Sequence, residues 1–267
     1  MPNSPHALTP AQIDQFIADG FVRIDNAFPR QLADEARAFL WQQTGCDPDD
    51  PATWTRPVIR LGGYGGPIFD AVCNTPLLHG AFDSLVGPGR WEPRHGLGTF
   101  PIRFPSEQDP GDAGWHIDVS FKLPEDDPND IFTSRANIVS RDRALLMLFL
   151  FSDVGEDDAP TRISIGSHWD TARKLEPAGE RGMTMHQMAA DGFAASASRP
   201  RTIATGPAGT VYLCHPFLVH AADKNRGQRV KFMAQPPLAP AEPLSLDRPD
   251  GDYSPVEIAI RRALGHD

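Results

Sequence analysis

From Trp91 onward the chain is a succession of short segments rich in branched and aromatic residues, cut at close intervals by proline, glycine and aspartate. Candidate strands are 97–104, 114–120, 144–153, 161–165, 210–214, 218–221 and 229–235. Many short strands at this spacing suggest a mainly β sandwich or jelly roll. The longest apolar run, Ala144 to Phe151, is too short to span a bilayer and reads as a buried strand.

The first ninety residues have a different texture and predict a helical cover. Thr9 and Gln12 form a capping box with Pro10 at the first helical position, and Gly20 is placed to end that helix. Phe21 to Ile24 reads as a short strand, followed by helices over 30–41 and 76–86. Two further helices are expected near 168–175 and 184–195, and a last one behind the capping box of Ser254 and Glu257. The domain reading is a single unit over 1–267: helical cover 1–90, β-core 91–238, tail and helix 239–267. No linker-like tract divides it.

Composition excludes some classes of function. The formal net charge of −10 gives no lysine/arginine stripe for nucleic acid. Cys46, Cys73 and Cys214 follow no disulfide or metal spacing, which suggests a reducing compartment. The segment Met1–His6 lacks the charged and apolar regions of a signal peptide, so a cytoplasmic protein is expected, with neither membrane nor nucleic acid as partner.

The chemistry-bearing residues are His116 and Asp118. Two residues apart on an extended strand, they share a face and can grip one metal ion. One distant histidine would complete two nitrogens and one oxygen on one side of the metal, a ligand set that suits non-haem Fe(II) with open positions for O2 and substrate. His220 and His215 compete for that role; His220 is better placed, at the end of a Leu-Val run and before a turn. His168 reads as a turn or supporting group. Downstream, Arg229 and Lys231 are same-face neighbours on the next candidate strand and could anchor a carboxylate. Arg103 and Arg135 flank the motifs and would suit an anion.

The runs Gly114-Trp-His-Ile-Asp118, Thr161-Arg-Ile-Ser-Ile-Gly-Ser-His168 and Gly206 to His220 together resemble the phytanoyl-CoA dioxygenase family, over about residues 8 to 238. The resemblance implies a double-stranded β-helix, a cupin-like jelly roll carrying helices at the N-terminus and periphery. It implies an Fe(II)- and 2-oxoglutarate-dependent dioxygenase that uses O2 to oxidise, most simply to hydroxylate, a small organic molecule, with succinate and CO2 as co-products. It maps the metal ligands onto His116, Asp118 and His220. An aspartate at 118 also argues against the halogenating relatives, which keep a small residue there. Where the family has an arginine eleven residues past the distal histidine, this chain has Lys231, with Arg229 two residues before it. Either is a candidate anchor for 2-oxoglutarate, and Thr161 could add a hydroxyl contact. Two other readings stand beside this one: a non-catalytic metal- or ligand-binding jelly roll, and a cupin-type isomerase, which would want His-x-His where this chain has His-x-Asp.

Overall fold

The computed structural model describes residues 7–266. Met1–His6, on which the absence of a leader was read, lie outside the described residues.

In chain order the N-terminal part contains α1 (Pro10–Asp19), β1 (Phe21–Ile24), α2 (Arg30–Thr44), β2 (Val58–Leu61), β3 (Tyr64–Gly65), α3 (Pro67–Cys73) and α4 (Pro76–Leu85). The middle contains β4 (Gly96–Leu97), β5 (Phe100–Arg103), β6 (Arg135–Ala136), β7 (Leu145–Leu150), β8 (Thr161–Ser164), α5 (Ser167–Leu175), β9 (Met183–Thr184) and α6 (Met185–Ala189). The rest are β10 (Arg201–Ala204), β11 (Val211–Cys214), β12 (His220–Ala221), β13 (Met233–Ala234), β14 (Pro237–Leu238) and α7 (Pro255–Ala263).

The helix starts follow the sequence signals. Thr9, Thr184 and Ser254 each close a capping box on the residue three positions on, satisfying amide protons that the first turn leaves unbonded. Gly20 ends α1 in the left-handed conformation (φ 86°). A Cβ there would lie 2.5 Å from His168 Nδ1, so glycine is required by both backbone and space.

β7 organises the sheets. It is buried on both faces, because its alternate residues belong to different cores. Leu146, Leu148 and Leu150 pack with Ile163 of β8, Ala204 of β10, Tyr212 and Cys214 of β11, and Met233 of β13. Leu145, Met147 and Phe149 face the other way, into the aromatic core beneath the helices with Phe28, Phe69 and Phe100. Two antiparallel sheets thus lie face to face, one in the order β1-β11-β7-β13 and the other β10-β8-β12, with helices covering the outer face of the larger one.

The larger sheet continues past β13 by backbone bonds to β5. Arg103 and Lys231 exchange N–H···O bonds of 3.0 and 2.9 Å, and Gln235 N donates to Thr99 O at 2.9 Å. β5 in turn pairs with β2. The smaller sheet continues past β12 through a single bridge, His220 with His116.

Several expected elements are shorter or different. The segment 114–120 is not a regular strand; within it His116 and Phe121, just beyond, make only isolated bridges. Of 229–235, only Met233–Ala234 is strand. The helix expected over 184–195 is α6, followed by a short 3-10 turn at Ala194–Ser196. The N-terminal cover is not purely helical: β1 is an edge strand of the larger sheet and β2 extends its other side. β2, β10 and α3 have no counterpart in the sequence reading. All three cysteines are free. No helix is long and apolar enough to cross a membrane, among the described residues.

Candidate metal centre and its cavity

One antiparallel bridge creates the site. His116 N donates to His220 O and His220 N donates to His116 O, each at 2.9 Å. Residues that exchange both bonds are directly opposite and project to the same face. Their rings accordingly lie 4.4 Å apart, centroid to centroid. Asp118, two residues beyond His116, projects to that face too. Its Oδ1 is 4.0 Å from His116 Nε2 and 3.8 Å from His220 Nε2. One donor atom from each residue lies within 4.8 Å of the others.

Hydrogen bonds fix the imidazoles. His116 Nδ1 lies 2.9 Å from Gly114 O, and His220 Nδ1 lies 3.0 Å from Leu218 O. A carbonyl can only accept, so both Nδ1 atoms carry the proton and both Nε2 atoms present a lone pair to the same space. Burial, reinforced by the neighbouring His116, lowers the His220 pKa to about 4, so this imidazole is neutral at ordinary pH. Gln235 Nε2 lies 3.1 Å from His220 Nε2, within donating distance of it.

Burial alone would push the Asp118 carboxyl upward. The Arg143 guanidinium, His220, His116 and a hydrogen bond from Gln235 together outweigh it and hold the carboxyl below its usual range. Arg143 Nη1 donates to Asp118 Oδ2 at 3.0 Å, which leaves Oδ1 to face the histidines. No sequence signal separated Arg143 from a surface charge in the turn before β7; its role depends on that turn folding back against 118–119.

The triad opens on a cavity of about 1380 Å³. Thr161, Met233 and Lys231 form part of its wall, and Met233 is shared with the core between the sheets. Lys231 is 2 % exposed. Its ammonium donates to Ala159 O at 2.6 Å, from a residue held in the left-handed region at φ 53°. Burial, and then repulsion from Arg103, pulls the Lys231 pKa down to about 7. Thr161 Oγ1 lies 3.8 Å from Met233 Sδ.

Arg229 does not join them. It is outside the cavity wall, 61 % exposed and paired with Asp158. The two cations part because 229–231 is not a regular strand and Asp158 draws the guanidinium outward. Arg103 lines the cavity, but its guanidinium is held by both oxygens of Asp112, at 3.0 and 2.6 Å. Arg135 is engaged by Asp126, whose carboxyl this pair and a backbone amide hold at about 2.

His215 and His168 belong elsewhere. His215 is fully buried against Phe16, His168 and Phe217. Its Nδ1 accepts from Phe217 N at 3.1 Å and its Nε2 lies 3.3 Å from Val256 O. His168 Nε2 lies 3.1 Å from Ile17 O. Both tie helices to the back of the larger sheet.

No protein-family model and no curated protein sequence matches this chain. Solved structures do share its fold. The non-heme alpha ketoglutarate dependent carbocyclase SnoK from nogalamycin biosynthesis is 16 % identical, with 90 % of this chain and 86 % of that one covered and a TM-score of 0.56. HygX from Streptomyces hygroscopicus, solved with nickel and 2-oxoglutarate bound, is 18 % identical, with 88 % of each chain covered and a TM-score of 0.57. GIG2 (DUF1479) from Candida albicans is 14 % identical, with 91 % of this chain and 65 % of that one covered and a TM-score of 0.61. At these identities the likeness is one of fold.

Proposed function

We propose that this protein is an Fe(II)- and 2-oxoglutarate-dependent dioxygenase that oxidises a small organic molecule, most simply by hydroxylation, on a double-stranded β-helix of the jelly-roll type. His116, Asp118 and His220 are its metal ligands, and Lys231, helped by Thr161, receives the far carboxylate of 2-oxoglutarate. The whole chain acts as one unit, in the cytoplasm. The observation that carries this reading is the convergence of two Nε2 lone pairs and one ionised oxygen beside a cavity that also holds a buried ammonium.

The donor set fits the ion. Two imidazoles and a carboxylate suit Fe(II) and leave positions open toward the cavity. The Nδ1 contacts to backbone carbonyls orient both rings, the usual support for metal-binding histidines. The shared fold with HygX, which binds nickel and 2-oxoglutarate, and with SnoK, described as alpha ketoglutarate dependent, adds to this.

A bound Fe(II) ion would couple reduction of O2 to conversion of 2-oxoglutarate into succinate and CO2 and so supply oxidising power for the substrate. The protein's own residues do the rest. Arg143 keeps Asp118 ionised and turned so that Oδ1 faces the imidazoles. Lys231 neutralises a carboxylate that would be costly to bury alone. Met233 and the inter-sheet core behind it exclude water from the inner wall.

The test is succinate formed from 2-oxoglutarate in air with added Fe(II), together with the stoichiometry of Fe(II) bound under anaerobic conditions. One ion per chain and Fe(II)-dependent succinate are expected, and both should be lost in His116→Ala. A wild-type protein that binds Fe(II) but yields no succinate would instead favour a non-catalytic binding protein.

A further inference from the structure

Most cations on the cavity wall have an anion assigned to them. Arg60 and Arg103 share Asp112. Arg143 holds Asp118. Lys231 is reserved for the co-substrate in the reading above. Arg94 is different. Its Nε donates to Gly96 O at 3.1 Å and its Nη1 to Pro237 O, which clamps the guanidinium plane between β4 and β14. Among the described residues no acceptor meets Nη2, and no carboxylate lies within ion-pair distance of this arginine. Its ionisable neighbours are the Cys73 thiol, which burial keeps protonated, and Arg143, a second cation; burial, the largest influence, lowers the Arg94 pKa. A half-buried guanidinium that is rigidly held, faces a cavity and lacks an anion is a recognition group in waiting.

The opposite kind of surface occurs on the same cavity. Ile131 and Phe132 are 58 % and 49 % exposed, the large hydrophobic residues left in solvent among those described. Both line the cavity, as does Met185.

We propose that Arg94 determines substrate specificity by binding the anionic group of an organic acid whose apolar body lies against Ile131, Phe132 and Met185. The substrate is therefore an organic anion with an apolar portion, drawn into a cationic cavity on a protein whose net charge is −10. This deepens the oxygenase reading and rests on it for what happens to the bound acid. The binding step itself stands on Arg94.

The experiment compares carboxylic acids with their own primary amides, which match them in shape but carry no charge. Octanoate, benzoate and 3-phenylpropionate are each titrated against the amide by calorimetry, in wild type and in Arg94→Gln, Arg94→Lys and Lys231→Met. Wild type should prefer the acids by about tenfold or more, the scale of a charged hydrogen bond. The preference should fall to about one in Arg94→Gln, survive in part in Arg94→Lys and persist in Lys231→Met. Because Arg94→Gln also weakens two backbone contacts, thermal unfolding identifies a variant that fails to fold, and Arg94→Lys then carries the test. No acid preference in wild type, or an undiminished one in Arg94→Gln, overturns the proposal. Titration of 2-oxoglutarate into the same proteins separates the two readings. Intact acid preference with no 2-oxoglutarate binding would strike the co-substrate assignment and leave the anion subsite in place.

Discussion

Lys231 gives 2-oxoglutarate binding a pH dependence that an arginine anchor would lack. Its ammonium is buried, bonded only to Ala159 O among the described residues, and its pKa is about 7. A carboxylate partner needs the charged form. At pH 6 about nine-tenths of Lys231 is protonated, and at pH 8 about one-tenth, so the apparent Kd for 2-oxoglutarate should rise about tenfold across that interval. Binding at pH 8 should take up about 0.9 proton, and at pH 6 about 0.1. Calorimetry on protein saturated with Mn(II), in two buffers of different ionisation enthalpy, measures both quantities without turnover. Lys231→Arg should flatten the profile, since guanidinium stays charged throughout. Lys231→Met should weaken binding by about 2–4 kcal/mol, roughly thirty- to a thousandfold, because it strands a buried carboxylate. A wild-type Kd that is flat from pH 6 to 8 with no proton uptake would refute the assignment, as would unimpaired binding by Lys231→Met.

Other outcomes follow from the same geometry. His220→Ala should abolish Fe(II) binding, whereas His215→Ala should retain it and lower the unfolding temperature; equilibrium dialysis and calorimetry distinguish the two, and the reverse pattern would reassign the ligand. Arg143→Leu should weaken Fe(II) binding about 10- to 100-fold by releasing Asp118 Oδ2, as read by competition with a chelator. Gly20→Ala should destabilise the fold by more than about 1 kcal/mol, measured by urea unfolding, through its positive φ and its clash with His168. The metal-free protein should be labile to acid. His220 and His168 have folded pKa values of about 4 and 3, and His215 also lies well below 6.5. The unfolded chain therefore binds more protons below pH 6.5, and stability should fall from there toward pH 4 by up to about 1.4 kcal/mol per pH unit for each imidazole. Urea midpoints at pH 7 and pH 5 check this, and equal midpoints would contradict it.

Local signals were legible in the sequence wherever a short stretch carries its own physics. The capping boxes at Thr9 and Ser254, the left-handed stop at Gly20 and the two-sided apolar run that became β7 needed no partner to be recognised. The candidate ligands His116, Asp118 and His220 were legible too. The reason offered for their convergence was incomplete, because 114–120 is not a regular strand. It is the single bridge between residues 104 positions apart, His116 and His220, that puts both imidazoles on one face. Strands β2 and β10 were not read from the sequence; in the structure antiparallel pairing with β5 and β8 holds them.

Charge pairing was the part that only tertiary structure could decide. In the sequence nothing separates Arg94 or Arg143 from a surface charge, and Arg229 and Lys231 compete for one role. The fold gives Asp112 to Arg103, Asp118 to Arg143 and Asp158 to Arg229. It buries Lys231 in the cavity wall and leaves Arg94 lining that cavity with no carboxylate partner among the described residues. The energy of a charge depends on its distance to other charges and on how much water surrounds it. Neither quantity is a property of a residue or its near neighbours in the chain, so neither exists until β5, β12 and β13 have been brought together.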